Sequence, residues 1–320
     1  MKKIVIIEPG YLHYQEEKSV LAKYDVNFVT VPINSSLENT LKEVKDADAV
    51  MVRDTPIRKD IITGMKRCKI IVRYGVGVDN VDLEAAKQQK IYVANVPDYG
   101  AEDVAEHALA LLLAATRRLV QRDRDIRVNG KWGVGQLEPM TRLEGKILGI
   151  IGFGRIAKEL LRKSKGIGFS QTLVADPLLT HDQANEFGVV KVEIDELCRQ
   201  SDFISLHVPL LPTTRHIINA QRLALMKPTT VLVNCGRGGL IDEQALAHAL
   251  SKGHLFAAGI DTFETEPVPK DNPLLKLDNT ICTDHTAWFT TESVVDLQRK
   301  AAEEILRVFD GFEPKHWVNK

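Results

Sequence analysis

Short apolar runs alternate with segments of helical period along the whole chain. Ile4–Ile7, Asn27–Val31, Ala49–Val52, Ile70–Val72 and Tyr92–Ala94 read as strands, with helical stretches such as Leu37–Lys45 and Leu83–Gln89 between them. Strand and helix in regular alternation predict right-handed βαβ units and a parallel sheet. The texture changes at Pro97-Asp98-Tyr99-Gly100. Ala101 to Thr116 is apolar nearly all round, which predicts a buried helix, placed between domains. Arg117 to Glu144 is polar and arginine-rich, contains Gly130, Gly133, Gly135 and Pro139, and is too long for a simple connection. Such an arm either covers a site or packs on a second subunit. A second alternating series begins at Lys146. Its strands are Ile147–Ile151, Thr172–Ala175, Phe203–His207, Val231–Asn234, Ala257–Ile260 and Thr280–Thr283, and an amphipathic helix from Thr291 to Asp310 closes the chain.

Length and charge narrow the class. A chain of 320 residues suggests about two domains. Lys and Arg total 42 against 43 Asp and Glu, a net charge of -1, which gives no electrostatic reason to expect nucleic acid or an anionic membrane. Cys68, Cys198, Cys235 and Cys282 are far apart and form no CxxC pair, so neither a zinc site nor a disulfide framework is expected. Free thiols fit a reducing, cytoplasmic setting. The run Ile4–Ile7 ends in Glu8-Pro9-Gly10, too short for a signal core, and Ala108 to Ala115 is too short to span a bilayer. No spacing among the histidines suggests a metal.

The first chemical motif follows the strand Ile147–Ile151. Gly152-Phe153-Gly154-Arg155-Ile156-Ala157 is a GxGxxG/A turn entering a helix. Gly152 permits the tight turn, Gly154 lets backbone approach a pyrophosphate, and Ala157 allows close helix–strand packing. The helix N-terminus offers N–H groups and a favourable dipole to phosphates. Asp176 stands 22 residues after Gly154, ending the next strand, where an acid accepts the ribose hydroxyls of the adenosine half. It also reads as a turn residue before Pro177. No Arg follows it immediately, so a 2′-phosphate would meet negative charge. The cofactor expected is NAD rather than NADP.

Three later stretches fall at the carboxyl ends of strands, the edge where open α/β sheets bind ligands. They contain Asn234-Cys235-Gly236-Arg237-Gly238-Gly239, Asp261-Thr262-Phe263-Glu264-Thr265-Glu266-Pro267 and Asp284-His285-Thr286-Ala287-Trp288. An Arg fork binds a carboxylate and polarises a carbonyl. A His passes a proton to and from an alcohol oxygen, and a Glu beside it orients it and favours its charged form. A loop Arg, a solvated Glu or a core His is ordinary alone; the three after strands of one sheet are not.

At this point the chain resembles the D-isomer-specific 2-hydroxyacid dehydrogenases. The resemblance rests on Arg73-Tyr74-Gly75-Val76-Gly77-Val78-Asp79-Asn80, Val104-Ala105-Glu106-His107-Ala108, Gly152 to Ile156, Val208-Pro209 with Thr213-Thr214, Asn234 to Gly239, Asp261 to Pro267, and His285, which run in family order over nearly the whole chain. His285-Thr286-Ala287-Trp288 places it nearest the branch of the C-terminal-binding proteins and hydroxypyruvate reductases. The resemblance implies an α/β fold of two doubly wound parallel-sheet domains with a cleft between: a Rossmann NAD-binding domain, 99–290, and a flavodoxin-like substrate domain, 1–98 with 291–320. It implies a homodimer through the 117–144 arm. Arg237, Glu266 and His285 would be catalytic, with Arg237 on the substrate's carboxylate and carbonyl and His285 as acid/base. Val76 and Gly77 would hold the carboxylate by backbone, and Arg73 and Trp288 would shape the pocket. The Gly152–Ile156 turn, Val104, Asp176, His207, Val208, Pro209, Thr214, Cys235, Gly236, Arg237 and His285 would line the cofactor, and Asp261 would contact the nicotinamide amide.

The implied reaction is NAD-linked hydride transfer at C2 of a small D-2-hydroxy or 2-keto acid such as glyoxylate or hydroxypyruvate. Phosphoglycerate is an alternative, through Arg53 and Arg58 after the third strand. An NAD(H)-sensing protein with weak catalysis is another. Formate dehydrogenase is disfavoured, since that branch usually carries an amide where Glu266 stands. Asp284 departs from the usual Pro before the catalytic His; it either favours the charged imidazole or faces solvent. His107 reads as a packing or domain-interface residue rather than a catalytic one.

Overall fold

A computed structural model describes residues 1–7, 10–133 and 140–320. The chain divides into two compact units, Met1–Gly100 with Phe289–Lys320, and Ala101–Trp288.

Among the described residues the first unit holds a five-stranded parallel sheet. Its strands are β1 (Lys2–Ile7), β2 (Val26–Val31), β3 (Ala49–Val52), β4 (Ile70–Arg73) and β5 (Tyr92–Ala94), in the order β2-β1-β3-β4-β5. That is the flavodoxin-like order. Ile4, Val5 and Ile6 are each 0% exposed, as consecutive apolar residues must be in a strand covered on both faces. Local chemistry starts the covering helices: Ser36 Oγ accepts from Asn39 N–H ahead of Leu37–Val44, and Asp82 from Ala85 N–H ahead of Leu83–Gln88. Two six-residue helices, Gln15–Val20 and Lys59–Gly64, are too short to announce themselves by period.

The last helix, Thr291–Phe309, is started by a Thr290–Ser293 capping box and returns to this unit. It is tied there by a buried polar contact. Glu17 is fully enclosed, and its carboxyl accepts from Tyr74 Oη–H at 2.7 Å and Gln298 Nε2–H at 3.2 Å. Burial pushes its pKa up, against the lowering effect of these bonds. The C-terminal tail then covers the open edge of the sheet: Val318 N–H donates to Val93 O, and Asn319 bonds Val93 N–H and Ile91 O.

The second unit holds β6 (Ile147–Ile151), β7 (Gln171–Ala175), β8 (Val190–Lys191), β9 (Phe203–Leu206), β10 (Val231–Asn234), β11 (Ala257–Ile260) and β12 (Thr280–Cys282). All are parallel, in the order β12-β11-β10-β9-β6-β7-β8. The two-residue edge strand β8 is not foreseen by the apolar pattern. Counted within this unit the order is doubly wound, and strand order reverses between β6 and β9. Successive residues feed opposite faces: Leu148, Ile150, Val231 and Val233 join one core cluster, Ile151, Leu232, Ile204 and Leu206 the other.

The apolar helix Ala101–Thr116 packs Val104, Ala105, Ala108, Leu111, Leu112 and Ala115 into the first of these clusters. Gly259 of β11 gives it room, since a Cβ there would lie 2.8 Å from Leu111 Cβ. No helix among the described residues is long and apolar enough to cross a membrane. We expect Gly259→Ala to destabilise the protein by about 1–3 kcal/mol through overpacking. Thermal unfolding followed by circular dichroism checks this; an unchanged midpoint contradicts the packing assignment.

Candidate active site

The carboxyl edge of the second sheet collects the polar residues that its strands carry outward. After β6, Gly152 adopts φ 86°, and a Cβ there would meet the His207 carbonyl carbon at 2.8 Å and Val208 Cγ1 at 2.7 Å. Only glycine fits this turn. At Gly154 a Cβ would meet nothing within 4 Å, so this turn faces open space. The helix Arg155–Ser164 begins there without a side-chain cap, while Ala157 is fully buried behind it. Uncapped N–H groups, open space and a glycine are what an incoming pyrophosphate requires.

Asp176 closes the turn from β7. Its Oδ2 accepts from Phe153 N–H at 2.6 Å and its Oδ1 from Leu178 N–H at 2.7 Å. Two carboxylate oxygens offer about four acceptor positions, so capacity for ribose hydroxyls is left. The turn role is the one these contacts serve, and it leaves the remaining acceptor positions open. The Phe153 side chain is 7% exposed and stacks edge-on with Phe187. Val104 is likewise 8% exposed and belongs to the core. Ile156 is half-buried against the same core.

His207 follows β9 and shares a 2.9 Å hydrogen bond with Ser205. Burial pushes its pKa down to about 4, so it is neutral at physiological pH. Next to it, Val208 is half-buried and Pro209 exposed. Thr214 Oγ1 donates to Pro209 O at 2.6 Å and accepts from Leu211 N–H at 2.7 Å, closing the loop that follows. Cys235 is buried after β10, and burial pushes its thiol well above the ordinary range. It remains a thiol, which disfavours a nucleophilic role.

Arg237 is set by its neighbours. Asn234 Oδ1 accepts from Gly236 N–H at 3.0 Å, and Asn234 Nδ2 donates to Arg237 O at 2.9 Å. Arg237 Nη1 donates to Gly236 O. At Gly238 a Cβ would fall 1.8 Å from the Phe263 carbonyl carbon. The Arg237 loop therefore presses directly on the backbone leading to Glu266, and any side chain at 238 forces the two apart. Asn234 and Gly238 were not singled out in the sequence, and only the Asn-Cys-Gly-Arg-Gly-Gly spacing hints at them.

Glu266 Oε1 accepts from Phe263 N–H at 2.9 Å, and Oε2 lies 2.7 Å from His285 Nδ1. Burial pushes the Glu266 carboxyl up, but the bonds from His285 and Phe263 and the nearby Arg237 charge more than offset it, leaving the pKa below the ordinary range. With Nδ1 donating to that carboxylate, Nε2 is the imidazole nitrogen left for proton exchange. His285 itself stands at φ 57°, a strained conformation for a residue with a side chain. Asp261 holds it there. His285 N–H donates to Asp261 O at 2.8 Å, Thr286 N–H to Oδ1 at 3.0 Å and Ala287 N–H to Oδ2 at 3.1 Å. Asp261 is 0% exposed in this arrangement, and its carboxylate accepts from the loop. Asp284 is exposed and accepts from Thr286 Oγ1–H at 3.1 Å. Trp288 is half-buried against the core.

Arg73, Val76 and Gly77 lie in the first unit, at the carboxyl edge of its own sheet. Arg73 Nη2 donates to Asp54 Oδ1 at 3.1 Å and its Nε to Arg53 O, while Arg53 Nε donates to Asp54 Oδ2 at 2.8 Å. Arg73 folds over Gly75, whose φ of 139° and missing Cβ leave space for the guanidinium. Val76 is 49% exposed. Arg58 stands exposed at the head of helix Lys59–Gly64, apart from the Arg53–Arg73 pair. Among the described residues no group of three or more His, Cys, Asp or Glu is placed to hold a metal ion.

The depressed Glu266 pKa carries a sign. Its contribution to stability is complete above the unfolded carboxyl value of about 4.3 and is lost as pH falls through the lower folded value. We expect the stability difference between wild type and Glu266→Gln to shrink on acidification below pH ~4.3. Urea titrations across that range check it; a difference independent of pH contradicts the pairing.

Residues 109–287 match the family model described as "D-isomer specific 2-hydroxyacid dehydrogenase, NAD binding domain". D-3-phosphoglycerate dehydrogenase of Methanocaldococcus jannaschii is 42% identical across 100% of this chain, which spans 60% of that relative's length. Glyoxylate reductase of Korarchaeum cryptofilum is 40% identical over 88% of this chain and 85% of its own. Among solved structures, D-lactate dehydrogenase from Aquifex aeolicus, complexed with NAD and lactic acid, superposes with a TM-score of 0.82 at 29% identity, covering 96% of each chain. Together with the glycine turn and the Arg237, Glu266 and His285 loops, these matches establish that the chain belongs to the D-isomer specific 2-hydroxyacid dehydrogenase family.

Proposed function

We propose that this protein is an NAD-dependent oxidoreductase acting at C2 of a small D-2-hydroxy or 2-keto acid. The observation that carries the reading is the 2.7 Å His285–Glu266 pair on the sheet edge that also presents Arg237 and the glycine turn. The open turn at Gly154, the uncapped helix behind it and Asp176 fit a dinucleotide, with His207, Val208, Pro209, Thr214, Cys235 and Gly236 along the same edge. When bound, that cofactor supplies or takes up the hydride at C2. Arg237 binds the acid's carboxylate and polarises its carbonyl. In reduction, His285 Nε2 gives a proton to the oxygen as C2 becomes a carbinol carbon, and solvent restores that proton. Glu266, kept ionised, balances the imidazolium and fixes the ring. Arg73, Val76 and Gly77 are the first unit's candidates for the substrate carboxylate, and Trp288 for the pocket wall.

Glyoxylate and hydroxypyruvate are the substrates favoured, in line with the glyoxylate reductase relative. Phosphoglycerate is the second reading. It is supported by the D-3-phosphoglycerate dehydrogenase relative and by two arginines, Arg53 and Arg73, gathered on Asp54. A panel of glyoxylate, hydroxypyruvate, pyruvate and the keto form of phosphoglycerate, with NADH and NADPH, decides between them. No turnover with any, alongside tight NADH binding, favours a sensor. We expect His285→Ala to lose about 10²–10⁴-fold in kcat while NADH fluorescence titrations still show binding. Wild-type turnover in that variant contradicts the mechanism.

The protein is further proposed to be a cytoplasmic homodimer. Cys68, Cys198 and Cys235 are buried free thiols, and Cys282 is also unpaired, as suits a reducing compartment. On the 117–144 arm the helix Leu119–Arg127 buries no residue, and Leu119, Val120, Ile126, Val128 and Trp132 are 56, 53, 52, 75 and 89% exposed. A run of exposed apolar side chains of this kind marks an interaction surface. The arm's residues 134–139, including Gly135 and Pro139, lie outside the described residues. Sedimentation should give twice the chain mass for wild type and the chain mass for a Val128→Asp, Trp132→Asp double variant. Equal masses for the two speak against the arm as the interface.

A further inference from the structure

We propose that His107 and Thr283 are positioning residues for His285, acting through the buried carboxylate of Asp261; the inference rests on the hydride-transfer reading above. His107 lies on the helix Ala101–Thr116 and Thr283 just past β12, 176 residues apart in sequence. Thr283 has one hydroxyl proton, donated to Asp261 Oδ1 at 2.6 Å. Its oxygen then accepts from His107 Nε2 at 3.0 Å, so that nitrogen must carry a proton. The same Nε2 lies 3.6 Å from Asp261 Oδ1. His107 is thus the outer end of a directed chain, from imidazole to hydroxyl to carboxylate.

The chain ends where the catalytic loop is held. Oδ1 takes the Thr283 hydroxyl on one side and Thr286 N–H on the other, while Oδ2 takes Ala287 N–H. The carboxylate's rotation is therefore set by Thr283 together with the two loop N–H groups, and Thr283's hydroxyl direction by His107. The loop it holds keeps His285 at φ 57°, a conformation it leaves when the hold is loosened. A displacement of about 1 Å at a proton donor costs about 10²-fold in rate. His107 has a packing surface, but packing alone does not require a protonated Nε2 aimed at a hydroxyl.

The test compares Thr283→Val, Thr283→Ser, His107→Leu and His107→Gln with wild type, and runs His285→Ala in parallel. Thr283→Val keeps shape and removes the hydroxyl. The glutamine amide can still donate. We expect Thr283→Val and His107→Leu to lose about 10–100-fold in kcat for keto-acid reduction, with KM and NADH affinity within about threefold of wild type. Thr283→Ser and His107→Gln should recover most of the loss. Independently of turnover, ¹⁵N-histidine NMR should show His107 protonated at Nε2 in wild type and a tautomer mixture in Thr283→Val. Wild-type kcat in Thr283→Val and His107→Leu overturns the proposal, as does a loss that Ser and Gln fail to rescue and that tracks a lowered melting temperature. If His285→Ala is inactive while those two variants are normal, only the positioning role falls. If His285→Ala is fully active, the reaction assignment falls and takes the positioning role with it.

Discussion

The carboxylate of Asp261 has no exposed surface, and donors from Thr283, Thr286 and Ala287 meet its two oxygens. A polar group so enclosed is tolerated only when its bonding positions are filled, because leaving one empty costs about 1–3 kcal/mol. The requirement runs in both directions. The loop after β12 has to wrap Asp261, and in wrapping it places three successive N–H groups around one residue. His285 is the first of the three, and its left-handed backbone is the cost of that geometry. The strain sits on the residue whose imidazole lies 2.7 Å from Glu266.

The parallel sheet makes this possible. Each strand from β6 to β12 ends at the same edge, and the residue just past each end is free to carry function because the strand itself is spent on burial. Glycines settle how closely these ends approach. Gly152 lets the first turn lie against the His207 backbone, and Gly238 lets the Arg237 loop press on the Phe263–Glu264 backbone. Electrostatics follow from that closeness. The bonds from His285 and Phe263, with a smaller contribution from the Arg237 charge, hold Glu266 ionised in spite of burial, and Glu266 in turn braces His285. His207, a few strands away and without a charged partner among the described residues, is driven neutral by the same burial.

Much of this was legible before folding was considered. The Gly152–Ala157 turn and Asp176 are readable because their partners are local: a strand, a turn, a helix start and the end of the next strand. Arg237, Glu266 and His285 are readable as strand-end residues of the right chemical types. Other features have no local signal. Phe153 stands inside the glycine motif, yet its ring is consumed by Phe187. Asp261 is named in the sequence for a ligand contact, and nothing local shows that it also brackets the loop after β12. β8, two residues long, shows no apolar run. Arg53 and Arg73 both donate to Asp54, and Arg73 Nε also donates to the Arg53 carbonyl, contacts between the neighbouring strands β3 and β4 that sequence spacing does not show.

By itself the sequence determined the periodicities, and through them the strands, the parallel α/β class and the edge on which chemistry collects. Those properties follow from which residues must leave water, and apolar pattern encodes that directly. Tertiary structure alone decided which polar groups meet. The His107–Thr283–Asp261 chain, the Gly238 contact and the Arg53–Asp54–Arg73 cluster depend on hydrogen-bond directions and on gaps of ångströms. These are set only after the helices and strands have packed, because packing density leaves a polar group few positions and burial obliges it to find a partner in one of them.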